Sequence, residues 1–178
     1  MKRIIRLFVM VACVLMMHVT VYAEINYDLL YNWAYQPANV QMNLVLQNTN
    51  IQVVDRLPWE SPDLYETYAY TTMNVVPGTR YVSSIDMYIK KGCEYALTHE
   101  VGHCISNYNH SVYWWCEQPI YDQIWQIERR NCILLYQGWD NKLEYFACAY
   151  DAYIRYPEML KQSCPMTYNY IQVVLNYT

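Results

Sequence analysis

The chain has 178 residues, of which 16 are acidic and 12 are basic, and its net charge at pH 7 is −4. This length fits one domain with a core of useful size. The acidic balance argues against a nucleic-acid partner, because phosphate binding needs a basic face. Tyrosine occurs 21 times and phenylalanine only twice, so we expect tyrosines to do much of the core packing.

The first 23 residues have the pattern of a cleaved secretion signal. Three basic residues stand at the start (Lys2, Arg3 and Arg6), followed by an apolar run over 7–17, and Ala23 offers a small residue at the cleavage position. A transmembrane anchor is the alternative, but the run is short. A lipoprotein with Cys13 as the lipidated residue is a weaker one. We therefore expect a secreted domain over 24–178 without a membrane anchor, and with a net charge of −7 from 9 basic and 16 acidic residues.

The next residues predict helix and then strands. Residues 27–47 have helical character with a break at Pro37. Three segments favour strands by alternation or by β-branched and aromatic content: 51–54, 65–76 and 79–89. The last of these precedes a helix that begins near Cys93. It either serves as an open edge that pairs with an extended substrate or lies inside the sheet.

The second half predicts mainly helix. Helices are expected from about 93 to 107, from Pro119 to about 135, from 143 to 156, and from Pro165 to about 175. Proline at 157 is expected to stop the third of them. There is no internal repeat and no linker in the sequence. The fold class predicted is therefore α+β, with a small sheet whose edge strand precedes the first of these helices.

That helix carries His99-Glu100-Val101-Gly102-His103. Residues four apart project from one helix face about a turn apart, so His99 and His103 can hold one zinc ion. Glu100 is placed to reach a water molecule bound to the metal rather than the metal itself. The motif predicts two ligands and a general base. Two helical histidines satisfied by hydrogen bonds are the structural alternative.

A catalytic zinc ion usually takes a third protein ligand. A third histidine in the longer form of the motif would need glycine at 106 and histidine at 109, where the chain has Ser106 and Asn109. Asp122 stands nineteen residues after His103, where many zinc peptidases have a glutamate. Glu144 heads a helix whose next turns are apolar, so its carboxylate is expected to point inward to a partner. Glu144 is the favoured ligand.

A resemblance to a known family follows from the motif at 99–103, from Glu144-Tyr145-Phe146-Ala147, and from the segments 156–158 and 164–171. Together they resemble the catalytic domain of anthrax toxin lethal factor-like zinc metallopeptidases. Their small secreted relatives, the Pro-Pro endopeptidases, match this chain in size. The resemblance implies a single zincin-like domain, zinc held by His99, His103 and Glu144, and Glu100 as the general base. It also implies a secreted endopeptidase of protein or peptide substrates, including proline-rich ones.

The chain departs from that family at three places. The tyrosine that donates to the oxyanion in the family is best matched by Tyr136, which lies eight residues before Glu144, one more than expected. Cys148 replaces a glutamate that the family commonly has, and Leu143 stands where Pro-Pro endopeptidases have a second acid. These departures motivate a second hypothesis: a secreted zinc-binding, toxin-like module with weak or no catalysis.

Six cysteines follow the predicted signal, and an even number in an exported chain predicts three disulfides. Fifteen pairings are possible, and the sequence does not choose among them. Cys104 adjoins His103, and Cys148 lies one helical turn beyond Glu144. If Glu144 is the metal ligand, a Cys104–Cys148 bridge is one hypothesis; free thiolates that compete for zinc are the alternative. Nothing in the sequence bears on oligomeric state.

Overall fold

The computed structural model describes residues 26–58, 67–108, 114–132 and 140–178. These residues form seven helices: Tyr27–Ala34 (α1), Ala38–Leu46 (α2), Leu97–Ser106 (α3), Pro119–Glu128 (α4), Lys142–Arg155 (α5), Pro157–Ser163 (α6) and Pro165–Tyr177 (α7). They also form three strands: Thr49–Val54 (β1), Ala69–Val75 (β2) and Val82–Lys90 (β3). The predicted α+β class, with a small sheet and a mainly helical second half, is confirmed.

The sheet has the order β1-β3-β2, so β3 lies at its centre. It pairs in parallel with β1 and antiparallel with β2. Alternation along β3 buries Ile85, Met87 and Ile89 on one face, as expected for a half-buried strand. The strand directly before α3 is therefore internal, the second of the two expectations for it, and β1 and β2 are the two edge strands within the described part of the chain.

Helix ends follow the local sequence. Asn141 caps α5 by accepting from the backbone N–H of Leu143 and Glu144, as asparagine does at an N-cap. Helix α4 ends at Glu128 rather than near Leu135; residues 133–139 lie outside the described residues. The sequence pattern does not predict helix α6, because Pro157 indicates only the end of α5. Proline is also tolerated in the first turn of a new helix, and here it does both.

A close approach of α3 and α5 joins the two halves of the fold. A Cβ atom added to Gly102 would lie 2.8 Å from the Cα atom of Ala147 and 3.2 Å from the Cβ atom of Tyr150. Only glycine permits this spacing, since it has no side chain. Tyr121 and Tyr145 are fully buried in the core, with ring centroids 6.3 Å apart. The expectation that tyrosines build much of the core is confirmed.

None of the helices in the described ranges combines the length and the apolar character needed to cross a bilayer. The predicted secretion signal, residues 1–23, lies outside the described residues. The six cysteines of the described part are free thiols in the structure. The three predicted disulfides are therefore not formed in it, and their pairing stays a prediction.

Candidate metal centre

The first turn of α3 is fixed by hydrogen bonds from Gln36, between α1 and α2, and from Arg155, at the end of α5. The Thr98 hydroxyl oxygen accepts from Gln36 Nε2 at 3.0 Å and from Arg155 Nη2 at 3.2 Å. Arg155 Nη2 also donates to the backbone carbonyl of Tyr95 at 2.7 Å, and Tyr150 Oη donates to Gln36 Oε1 at 2.7 Å. Since each of these groups is satisfied by another, the direction of α3 and of its side chains is well determined.

His99 and His103 lie one turn apart on α3 and face Glu144 from α5. His99 Nε2 is 3.3 Å from Glu144 Oε2, and His103 Nε2 is 3.5 Å from Glu144 Oε1. The two imidazole rings are nearly perpendicular, with centroids 4.8 Å apart. The three side chains that the sequence predicted as ligands are thus brought together, from positions more than forty residues apart in the chain.

These separations are close to those between donor atoms that share one metal ion. With metal–donor distances of about 2.1 Å, neighbouring donors of a tetrahedron lie about 3.4 Å apart. Glu144 approaches the two Nε2 atoms through different oxygens, Oε2 and Oε1, each at a separation close to that value. The Glu144 side chain is 40% exposed, so the centre is open to solvent on one side. The donor set of two imidazoles and one carboxylate also suits zinc.

Glu100 lies next to this centre but is held from another direction. The donor atoms of His99, Glu100 and His103 lie within 4.8 Å of one another, a group that could hold a metal ion. However, Glu100 Oε2 accepts a hydrogen bond of 2.6 Å from the Thr71 hydroxyl on β2. Glu144, which approaches both Nε2 atoms, and Glu100, which completes the group of His99 and His103, are thus the two carboxylates next to the histidine pair.

The electrostatics of the centre favour positive charge where the donors meet. Hydrogen bonds with His103 and His99 hold the pKa of the Glu144 carboxyl well below its usual range. Burial would lower the pKa of His99, but hydrogen bonds with Cys148 and Glu144 raise it to about 10. A carboxylate that faces two imidazoles thus favours a positive charge at this point.

Cys148 supports the opposite side of the His99 ring. Its sulfur lies 3.6 Å from His99 Nδ1, one turn along α5 from Glu144. Metal-binding histidines usually use the second ring nitrogen for such a contact, which fixes the orientation of the ring. In contrast, His103 Nδ1 is buried and makes no hydrogen bond within the described residues.

The other sequence-predicted candidates are placed away from the centre or outside the described residues. Asp122 pairs with Lys142 Nζ and is engaged there rather than at the metal centre. Tyr136 lies outside the described residues, as does Asn109. Thr71 was missed, because a threonine in a strand carries no signal until the sheet order places it against α3.

The geometry agrees with a comparison to known families. The family model described as anthrax toxin lethal factor, N- and C-terminal domain, matches residues 14–174. The chain belongs to this family. The match covers α3, with the histidine pair, and α5, with Glu144. The whole candidate centre therefore lies in the matched region. No curated protein matches the chain.

Proposed function

We propose that this lethal factor family chain is a secreted, zinc-dependent endopeptidase. The observation that carries the proposal is the convergence of His99 and His103 on Glu144, at 3.3 Å and 3.5 Å, with Glu100 beside them. His99, His103 and Glu144 would hold the zinc ion. When bound, zinc supplies Lewis acidity, which acidifies water and polarises a peptide carbonyl.

Glu100 is the general base in this proposal. Its carboxylate takes the proton from the attacking water and passes it to the leaving amine. The Thr71 hydroxyl holds Glu100 Oε2 at 2.6 Å, which fixes the orientation of the carboxylate before a substrate arrives. Glu100 is 5% exposed, so its surroundings exclude most bulk water. Tyr136 remains the proposed donor to the oxyanion.

In this proposal an extended substrate binds along the edge strand β2. Within the described residues, β2 pairs only with β3, and Thr71 connects β2 to Glu100. A peptide added alongside β2 would form backbone hydrogen bonds with it. Its scissile bond would then lie close to Glu100. We propose protein or peptide substrates for this reason, with proline-rich sequences as the first class to test.

The test is cleavage of a peptide library that includes proline-rich sequences. The full chain, refolded in a glutathione redox buffer and loaded with zinc, is compared with Glu100→Gln and with Glu158→Gln, an exposed acid on α6. We expect the natural chain and Glu158→Gln to cleave, and Glu100→Gln to bind zinc without cleaving. If the natural chain binds one zinc ion and cleaves nothing, the proposal fails and the zinc-binding module becomes the leading function.

Export is tested separately. We expect the N-terminal sequence of the exported protein to begin at Glu24. Retention of residues 1–23 on the exported protein would contradict the proposed signal.

A further inference from the structure

We propose that Cys132 and Cys164 form a disulfide that ties the end of α4 to the junction of α6 and α7. The sequence left fifteen pairings open. The structure brings these two cysteines together from opposite ends of a segment that contains all of α5. The inference does not depend on zinc binding or on peptidase activity.

The carbonyl of Glu128, at the end of α4, contacts both Cys164 and the backbone just before Cys132. Cys164 Sγ lies 3.7 Å from the backbone carbonyl oxygen of Glu128, the last residue of α4. The backbone N–H of Asn131 donates to the same carbonyl at 2.8 Å, so the chain turns back there. Cys132 follows directly, and its side chain is hydrogen-bonded to that of Cys164.

The Glu128 carboxylate fixes α7 against α4 and so maintains this contact. Glu128 Oε1 accepts from the backbone N–H of Met166 at 2.9 Å. Its Oε2 accepts from the backbone N–H and the hydroxyl of Thr167, both at 2.8 Å. These bonds satisfy the first turn of α7, as an N-terminal carboxylate does. Cys164 immediately precedes that turn, so its position relative to α4 is fixed by buried hydrogen bonds.

Burial at the pair is nearly complete. Cys132 is 7% exposed and Cys164 is 0% exposed. Both sulfurs are close enough to the Tyr145 hydroxyl to affect its pKa. The hydrogen bond from Cys132 lowers the pKa of Cys164 to about 7. Oxidation would therefore occur during folding, before α4 and α7 close over the pair.

The chemistry is exchange with a small-molecule disulfide such as oxidised glutathione. The thiolate of one cysteine attacks the S–S bond, forms a mixed disulfide and releases one glutathione thiolate. The second cysteine then attacks the mixed disulfide, closes the Cys132–Cys164 bond and releases the other. Both cysteine protons pass to the two released thiolates. The two cysteines are oxidised and one glutathione disulfide is reduced.

The sulfur atoms of two other cysteines contact a histidine and an asparagine. Cys148 Sγ faces His99 Nδ1 at 3.6 Å, and Cys116 Sγ lies 3.7 Å from Asn107 Oδ1. The structure therefore favours Cys132–Cys164 over the Cys104–Cys148 bridge that the sequence suggested. A Cys132–Cys164 bond would also close the segment that carries Glu144 into a loop.

Peptide mapping without reduction tests the pair directly. The full chain is refolded with reduced and oxidised glutathione, free thiols are alkylated, and the protein is digested with trypsin. Peptide 131–142 contains only Cys132, peptide 143–155 only Cys148, and peptide 162–178 only Cys164. We expect the 131–142 and 162–178 peptides to be linked. Alkylation of both cysteines, or linkage of either one to another peptide, would overturn the proposal.

Variants provide the matched control. Cys132→Ser and Cys164→Ser should each abolish the link and leave the other cysteine open to alkylation, whereas Cys93→Ser should retain it. Reduction should lower the melting temperature of the natural chain by roughly 10 °C, and should lower that of Cys132→Ser/Cys164→Ser by much less. Equal shifts for the natural chain and the double variant would also count against the bond.

Discussion

Gly102→Ala tests whether the close approach of α3 and α5 builds the metal centre. An alanine Cβ at this position would lie 2.8 Å from Ala147 Cα, 3.0 Å from Ala147 O and 3.2 Å from Tyr150 Cβ. Ordinary contacts between carbon atoms are about 3.5–4.0 Å. Two of the three clashes are with backbone atoms, so rotation of a side chain does not relieve them. The two helices must move apart by roughly 0.7 Å or more.

Two effects of opposite sign decide the change in stability. Forcing a methyl group into a packed interface costs about 1–3 kcal/mol. Replacing glycine by alanine inside a helix returns about 1 kcal/mol. We therefore expect the free energy of unfolding to fall by about 0–2 kcal/mol, a modest loss that leaves the fold intact.

Metal affinity is expected to respond much more strongly. Glu144 lies on α5 and the two histidines lie on α3, so separation of the helices moves the carboxylate away from both Nε2 atoms. Metal sites tolerate errors in donor distance of only about 0.2 Å. We expect the zinc affinity of Gly102→Ala to fall at least about tenfold, the scale seen when groups that orient ligands are removed.

The assay is competition with a chromophoric chelator, read together with urea unfolding of the metal-free protein. Gly78→Ala is the control, because it lies in the turn between β2 and β3 and has open space around it. Its φ of 77° makes alanine cost about 1–2 kcal/mol, with zinc affinity unchanged. A Gly102→Ala variant with natural zinc affinity would refute the reasoning.

Three further predictions concern the neighbourhood of the centre and the core. Cys148→Ala should weaken zinc binding about tenfold in the same competition assay, because His99 loses its contact at Nδ1. Cys93→Ala should leave zinc affinity unchanged. Equal zinc affinities of the two variants would contradict the prediction. Glu128→Ala should lower the free energy of unfolding in urea by about 3 kcal/mol, because two backbone N–H groups of α7 lose their acceptor. Glu158→Ala, at an exposed site, should change it by less than about 1 kcal/mol. A similar small change at both sites would contradict the capping role of Glu128. Burial raises the pKa of Tyr121 and of Tyr150. Their contribution to the free energy of unfolding is therefore fully present below the tyrosine pKa of the unfolded chain, near pH 10, and is lost above it by about 1.4 kcal/mol per pH unit for each tyrosine. Urea unfolding at pH 9 to 11.5 that shows no decline in this free energy would contradict the prediction.

The helix that carries His99 and His103 could be predicted from local sequence alone. The spacing of His99 and His103 is a property of one helix, and a helix is determined mostly by residues near in sequence. Glu144 was also within reach, because a carboxylate at the start of an apolar helix needs a partner. The structure places that partner across the α3–α5 contact, which Gly102 permits.

What could not be predicted depends on contacts between distant elements. The sheet order places β3 inside and β2 at the edge, and only that order brings Thr71 to Glu100. Strand alternation shows which face of a strand is buried, but not which neighbour it pairs with. The contact of Cys132 with Cys164 is hidden for the same reason, since it depends on how α7 meets the end of α4.

The most direct test of the central claim is a zinc titration of the metal-free chain with a cleaved peptide as the reporter. The account predicts that the rate of cleavage rises in proportion to bound zinc and reaches its limit at one zinc ion per chain. Glu100→Gln should bind the same amount of zinc with no rise in rate. Cleavage in the absence of metal, or full zinc loading of the natural chain without cleavage of any peptide, would contradict the account.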